Sequence, residues 1–154
     1  MIEIQIQHRK NNSERTLKLP MKGRSLKEVV PDTNDFFIKK VRSKYEIRLK
    51  TNDDLEKLNN AMEEFQSLEE KDKSKVLAIN IKLPFEEAII HKDKYKLIEN
   101  IFSIEEYGRY VATEETNLSK RFLKYIDFKK YGEDIIRTCE ECYFTKYGVL
   151  KVCE

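Results

Sequence analysis

An α+β fold is predicted by two changes of apolar period along the 154 residues. Ile2-Glu3-Ile4-Gln5-Ile6 and Arg15-Thr16-Leu17-Lys18-Leu19 alternate apolar and polar side chains, the period of a half-buried strand. After Thr51 the period lengthens: Leu55, Leu58, Met62 and Phe65 recur at three- and four-residue spacing, on one helical face. Cys142-Tyr143-Phe144-Thr145 and Val149-Leu150-Lys151-Val152 return to strand character, joined through Lys146-Tyr147-Gly148. The expectation is an elongated chain with a small antiparallel sheet module at each end and a helical module between, in segments 1–52, 53–102 and 103–154.

The polar turn Lys10-Asn11-Asn12-Ser13 makes the first two strands a hairpin. Ser25-Leu26-Lys27-Glu28 has the form of a capping box, in which hydroxyl and carboxylate each take a free amide at a helix start. Pro31 ends that helix. Phe36-Phe37-Ile38 and Tyr45-Glu46-Ile47-Arg48-Leu49 read as two more strands. Ser67 to Glu70 reads as a second capping box, and Pro84 suits a first helical turn ahead of Phe85, Ala88 and Ile89. Leu97, Ile98, Ile101 and Phe102 add an apolar stripe to the helical middle. Ser103-Ile104-Glu105-Glu106 starts a helix carrying Tyr107 and Val111, and 117–123 is another short helix.

Apolar residues are 40% and charged ones 38%, which allows a core under a large solvated surface. No apolar run approaches the ~20 residues of a membrane span, and the N-terminus lacks a signal-peptide block. A cytoplasmic protein without membrane contact is expected. Cys139, Cys142 and Cys153 fit no disulfide framework. They read as ordinary thiols of a reducing compartment or, with His8 or His91, as part of a zinc site. Metal is not expected.

The chain has four glycines, none in a GxGxxG or Walker arrangement, and no His-Glu-x-x-His or Gly-x-Ser-x-Gly. Its many adjacent acid pairs point about 100° apart on a helix, so none is a catalytic dyad by itself. No catalytic residue and no cofactor is expected.

Net charge is +2, unevenly spread. Residues 1–50 hold 13 Lys/Arg against 6 Asp/Glu (+7), residues 51–116 hold 9 against 16 (−7), and residues 117–154 hold 8 against 6 (+2). The acid pairs read either as solvated helix faces favoured by the helix dipole or as a surface with a cationic partner. The basic cluster Lys39, Lys40 and Arg42, interleaved with Phe36, Phe37 and Tyr45, also has two readings. It is a strand edge protected by lysines or a nucleic-acid contact.

The densest motif is Lys124-Tyr125-Ile126-Asp127-Phe128-Lys129-Lys130-Tyr131-Gly132-Glu133-Asp134-Ile135. Asp127 suits a helix N-cap. Phe128 and Tyr131 then share a helical face, and Gly132 relieves a close approach or a bend. Tyr125, Ile126, Asp127, Phe128, Tyr131, Gly132, Asp134 and Ile135, with Gly148 downstream and 104–110 upstream, make the chain resemble the ArdA-type antirestriction proteins of conjugative mobile elements. The last third carries the specific part of that resemblance.

The resemblance implies a non-enzymatic inhibitor made of three small modules in a curved, elongated molecule. It would pair as a homodimer through the C-terminal module, with the 125–134 motif near the interface. The implied partner is a host type I restriction–modification enzyme, bound at its methyltransferase and specificity core by a protein mimic of DNA. Duplex DNA carries one negative charge per ~1.7 Å of axis. The acids expected to imitate it are Asp53, Asp54, Glu56, Glu63, Glu64, Glu69, Glu70, Glu86 and Glu87. Members that mimic DNA are strongly acidic overall, whereas here only the middle segment has that sign. A basic nucleic-acid-binding accessory of a mobile element, or a diverged interaction module on the same fold, are the alternatives.

Overall fold

The computed structural model describes residues 1–21, 25–139 and 141–153. Contacts divide them between two compact units, Met1–Lys92 and Asp93–Glu154. That border lies between the segment boundaries read from the sequence, and each unit is described by itself.

The first unit begins with β1 (Ile2–His8), flanked by β2 (Glu14–Leu19) and β3 (Phe36–Ser43) in the antiparallel order β2-β1-β3. Alternation works as the sequence requires: Ile2, Ile4 and Ile6 are buried with Leu17, Leu19, Phe36 and Ile38. A register shift between Gln5 and Ile6 interrupts the β1–β3 ladder. The short helix α1 (Leu26–Val29) starts after Ser25 as expected, but the serine makes no side-chain cap bond.

Helix α2 (Leu55–Ser67) starts at Asp54, whose carboxylate accepts from the amides of Glu56 (2.9 Å) and Lys57 (3.1 Å). It buries Leu55, Leu58, Met62 and Phe65. Helices α3 (Glu70–Asn80) and α4 (Phe85–Ile90) complete the unit. Phe65 sits between Tyr45 and Phe85 in edge-to-face contacts, centroids 5.3 and 5.4 Å apart. Burying a ring or Met side chain of this kind contributes roughly 1.5–3 kcal/mol.

Three expectations for this unit need correction. Tyr45–Leu49 is not a strand, because Asn80 takes its hydrogen bonds: Oδ1 accepts from the Arg48 amide (2.7 Å) and Nδ2 donates to the Arg48 carbonyl (3.0 Å). The capping box from Ser67 does not form, since the Ser67 hydroxyl donates to the Glu64 carbonyl at the end of α2 and Glu69 becomes the cap residue of α3. Pro84 occupies the cap of α4 rather than its first turn.

The second unit holds a sheet of order β4-β6-β5, built from β4 (Tyr95–Ile98), β5 (Cys142–Thr145) and β6 (Gly148–Val152). Leu97 and Ile98 are therefore in a strand and not on a helix; they pair with Leu150 and Val149. The partner lies some fifty residues on, so local spacing alone misreads them. Gly148 has φ +129°, a value that an L side chain resists, and it opens β6 after the tight turn.

Between β4 and β5 come α5 (Ile104–Tyr110), α6 (Lys120–Leu123) and α7 (Phe128–Thr138). The Ser103–Glu106 capping box forms in full. The helix expected over 117–123 begins only after its Ser119 cap. A π-helical turn, Val111–Glu115, continues α5. Ile98, Ile101, Tyr107, Val111 and Val149 form the core, with Tyr131, Ile135 and Ile136 packed on it. Helices α5 and α7 meet through two glycines: a Cβ on Gly108 would lie 2.0 Å from the Phe128 carbonyl oxygen, and one on Gly132 would lie 2.2 Å from that of Ile104. Among the described residues no helix is long and apolar enough to cross a membrane.

Candidate partner-binding surface

The nine acids singled out by the sequence all lie in the first unit, but they do not face one way. Five of them, Asp53, Asp54, Glu64, Glu86 and Glu87, line one open cleft of about 500 Å³ between α2 and α4. Its walls also include Lys57, Asn52, Asn60 and the apolar Ile89 and Ile90. Ile90 is 69% exposed. Local structure places each carboxylate. Asp54 caps α2, Asp53 accepts from the Lys50 amide at 2.6 Å, and Glu86 and Glu87 occupy the first turn of α4.

Glu86 carries the electrostatic mark of the crowding. Partial burial pushes its carboxyl above the usual range, and the neighbouring Asp53 and Asp54 charges push it the same way. Glu64 is held by the Lys92 ammonium at 2.8 Å. Negative charges gathered around one cleft make the potential there more negative and favour a cationic visitor.

The other four acids stand apart from the cleft. Glu56 pairs with Lys27 at 3.5 Å. Glu70 accepts from the Tyr45 hydroxyl (3.1 Å) and the Lys73 ammonium (3.0 Å), and these bonds, Lys73 first, lower its carboxyl below the usual range. Glu63 and Glu69 are exposed. The sequence did not single out Asn52, Asn60, Ile89 or Ile90 as cleft residues. Asn52 precedes α2, and the spacing of the others on α2 and α4 carries no signal until the two helices are packed.

The basic cluster is less cationic than its sequence suggests. On the sheet, the Lys39 ammonium donates to Glu14, and Arg42 pairs with Glu3 at 3.7 Å. Lys40 and Arg42 share a surface pocket with Glu3, Gln5 and Thr16. Cross-strand neighbours thus offset part of the charge.

In the second unit the 125–135 motif resolves into roles. Asp127 caps α7 and accepts from the Lys130 amide at 3.2 Å. Phe128 lies half-buried beneath the Arg109 guanidinium, 4.5 Å from the ring centroid. Tyr131 packs on the core, and Gly132 is the crossing point with α5. Asp134 pairs with Arg137 at 3.6 Å. Ile126 is half-buried, while Tyr125 is 76% exposed, near in sequence to exposed Phe122 and Leu118.

Among the described residues, Cys139, Cys142 and Cys153 do not converge as a triad; the ligand-spaced cluster is His8, Asp32 and Asp35. His8 is already engaged. Its Nδ1 accepts from the Lys10 and Asn11 amides (3.1 and 3.3 Å), so the network assigns the proton to Nε2, 3.3 Å from Asp32 Oδ2. A cation on Nε2 would reverse that tautomer and break both amide bonds.

No curated protein matches the chain. The family model described as "Antirestriction protein (ArdA)" matches residues 12–151, which takes in the acidic cleft, the glycine crossing and the motif on α7. With nearly the whole length matched, the chain belongs to the ArdA antirestriction protein family, and its role is antirestriction.

Proposed function

We propose that this protein inhibits a type I restriction–modification enzyme by presenting carboxylates in place of DNA phosphates and occupying the enzyme's DNA-binding groove. The observation that carries this reading is the convergence of Asp53, Asp54, Glu64, Glu86 and Glu87 on one cleft of the first unit. A groove that binds DNA answers phosphate charge with lysines and arginines, and such a groove finds a matching array of carboxylates here. Inhibition is competitive occupancy, without turnover, cofactor or covalent step. Glu56, Glu63, Glu69 and Glu70 extend the acidic surface beyond the cleft. In this reading the protein works in the cytoplasm as a homodimer paired through its C-terminal module. The exposed Leu118, Phe122 and Tyr125 support that pairing.

Direct DNA binding by Lys39, Lys40 and Arg42 is the competing mechanism, and the Glu14 and Glu3 partners on the same sheet weaken it. One experiment separates the two. Labelled duplex DNA is run with the protein alone, and with a type I methyltransferase plus the protein as competitor, at ~50 and ~200 mM salt, where phosphate contacts weaken steeply. Mimicry expects no shift by the protein alone and release of DNA from the methyltransferase. A variant with Asp53, Asp54, Glu86 and Glu87 all changed to Lys should lose that competition while keeping its circular dichroism. A salt-sensitive shift by the protein itself, lost in a Lys39, Lys40 and Arg42 to Glu variant, would overturn mimicry.

A further inference from the structure

We propose that Ile90 is a salt-independent anchor in the acidic cleft, and that the group it receives is an arginine side chain of the partner. The methylene stem of that arginine lies on Ile90 and its guanidinium among the carboxylates. The inference rests on the reading of the cleft given above and adds to it the chemistry of the residue that enters.

An exposed apolar side chain stands where a phosphate mimic needs only charge. Helix α4 has its core face without Ile90: Phe85, Ala88 and Ile89 are its buried residues. Ile90, the last residue of the helix, is 69% exposed and lines the cleft. An isoleucine alone on an open surface is ordinary. This one follows Glu86 by four residues and Glu87 by three, the spacing that makes side chains neighbours on a helix. Just beyond it in the chain, the Lys92 ammonium donates to Glu64 (2.8 Å) and to the Ile89 carbonyl (3.4 Å). Ala61 and Pro84 add further apolar wall. The cleft therefore offers aliphatic surface and carboxylates within one helical turn.

That combination suits a long aliphatic stem ending in a cation. A bare cation would use the carboxylates and leave Ile90 in water. An apolar side chain would use Ile90 and leave Glu86 and Glu87 unanswered. Of the two long cationic side chains, arginine fits better. Its guanidinium is more weakly hydrated than an ammonium, and its five donors reach more than one carboxylate. Glu86 is half-buried, so a cation that joins it sheds part of its water. Added salt separates the two contributions: it screens the attraction between charges and leaves the burial of Ile90 in place.

The test has two arms, both on the full chain. In the first, protein with isotope-labelled isoleucine methyls is titrated with n-butylguanidinium, n-butylammonium and guanidinium, and Ile90→Leu assigns the Ile90 resonance. The Ile90 methyl should shift to saturation, at the lowest concentration with n-butylguanidinium. No shift, or an equal shift by guanidinium without the stem, would overturn the proposal. An equal response to n-butylammonium would overturn the choice of arginine. In the second arm, Ile90→Ala, Ile90→Leu and Glu87→Gln compete with labelled duplex DNA for a type I methyltransferase at ~50 and ~200 mM salt. Ile90→Ala should compete about tenfold more weakly at both salts, and Ile90→Leu close to the wild type. Glu87→Gln should lose most at low salt. Competition by Ile90→Ala equal to the wild type, or a loss confined to low salt, would overturn the anchor. A wild-type chain that leaves the methyltransferase on its DNA, while the first arm succeeds, would overturn mimicry and leave the arginine site standing.

Discussion

The acidic cleft between α2 and α4 and the glycine crossing between α5 and α7 are built on opposite principles. The cleft is made of side chains reaching into solvent; Asp54 is held by its cap and Glu64 by the Lys92 ammonium, and one carboxylate more or less changes little in the packing. At the crossing the backbones themselves touch, and the space left for a single methyl group is negative. The residues most easily read from the sequence lie at the crossing. The residues proposed to meet the partner lie in the cleft. A recognisable motif therefore marks what the fold cannot change, and the proposed binding property is spread over residues that the fold hardly constrains.

The sharpest way to break that comparison is at Gly132. A Gly-to-Ala change within a helix usually gains roughly 0.5–1 kcal/mol. Here the new Cβ would sit 2.2 Å from the Ile104 oxygen, so α5 and α7 must separate. Gly132→Ala should cost about 3 kcal/mol or more, the upper range of overpacking. Gly108→Ala should behave alike, its Cβ meeting the Phe128 oxygen. Urea unfolding followed by circular dichroism reads both. A matched control, Glu87→Gln in the cleft, should stay within about 0.5 kcal/mol of the parent. Equal midpoints for Gly132→Ala and the parent would remove the distinction between the two regions.

Asn80 supplies the next largest effect, and it shows that the first unit has intolerant points too. Its side chain answers the Arg48 amide and the carbonyls of Arg48 and Leu83. Asn80→Ala leaves these buried groups short of partners and should cost about 2–3 kcal/mol. If the Tyr45–Leu49 stretch instead tolerates the loss, with an unchanged denaturant midpoint, the account of why it is not a strand fails.

What could be read in the sequence divides along the same line. Alternation at Ile2, Ile4 and Ile6 and the caps at Ser103 and Asp127 are local, and all are present. Two of the misread stretches have distant partners, whereas the Ser67 capping box is lost to a carbonyl only three residues back. Tyr45–Leu49 depends on Asn80, and Leu97 and Ile98 depend on Leu150 and Val149. The acids fail for a different reason. Nothing in the spacing of Asp53 and Glu86 says that they meet, or that Glu56 pairs with Lys27 and Glu70 with Tyr45. Charge is legible residue by residue; the direction a charge faces is a property of helix packing.

Asp54 tests whether the cleft acids are structurally neutral as a class. It both lines the cleft and caps α2, so it should be the exception. Asp54→Ala should cost about 1 kcal/mol through loss of the cap, whereas Asp54→Ser should retain most of that stability while removing the charge. Thermal melts of the pair separate cap from charge, and equal losses would mean that the carboxylate acts by more than capping.

Glu86 gives the smallest effect and the one with a sign that distinguishes crowding from ordinary exposure. Its folded carboxyl is raised, first by burial and then by Asp53 and Asp54, so the folded chain holds the proton to higher pH than the unfolded chain. Stability is therefore lost as pH rises from the ordinary glutamate range through the folded value, and the loss persists at neutral pH. Glu86→Gln should stabilise the protein at pH 7 by less than about 1 kcal/mol, because the group keeps part of its solvent contact, and so raise the melting temperature slightly. The gain should shrink toward zero below the ordinary carboxylate range, where both folded and unfolded carboxyls are protonated. A gain that does not vary with pH would point to packing of the amide rather than relief of like charge. The cleft would then lose its claim to be a place where negative charge is held at a cost until a cationic partner arrives.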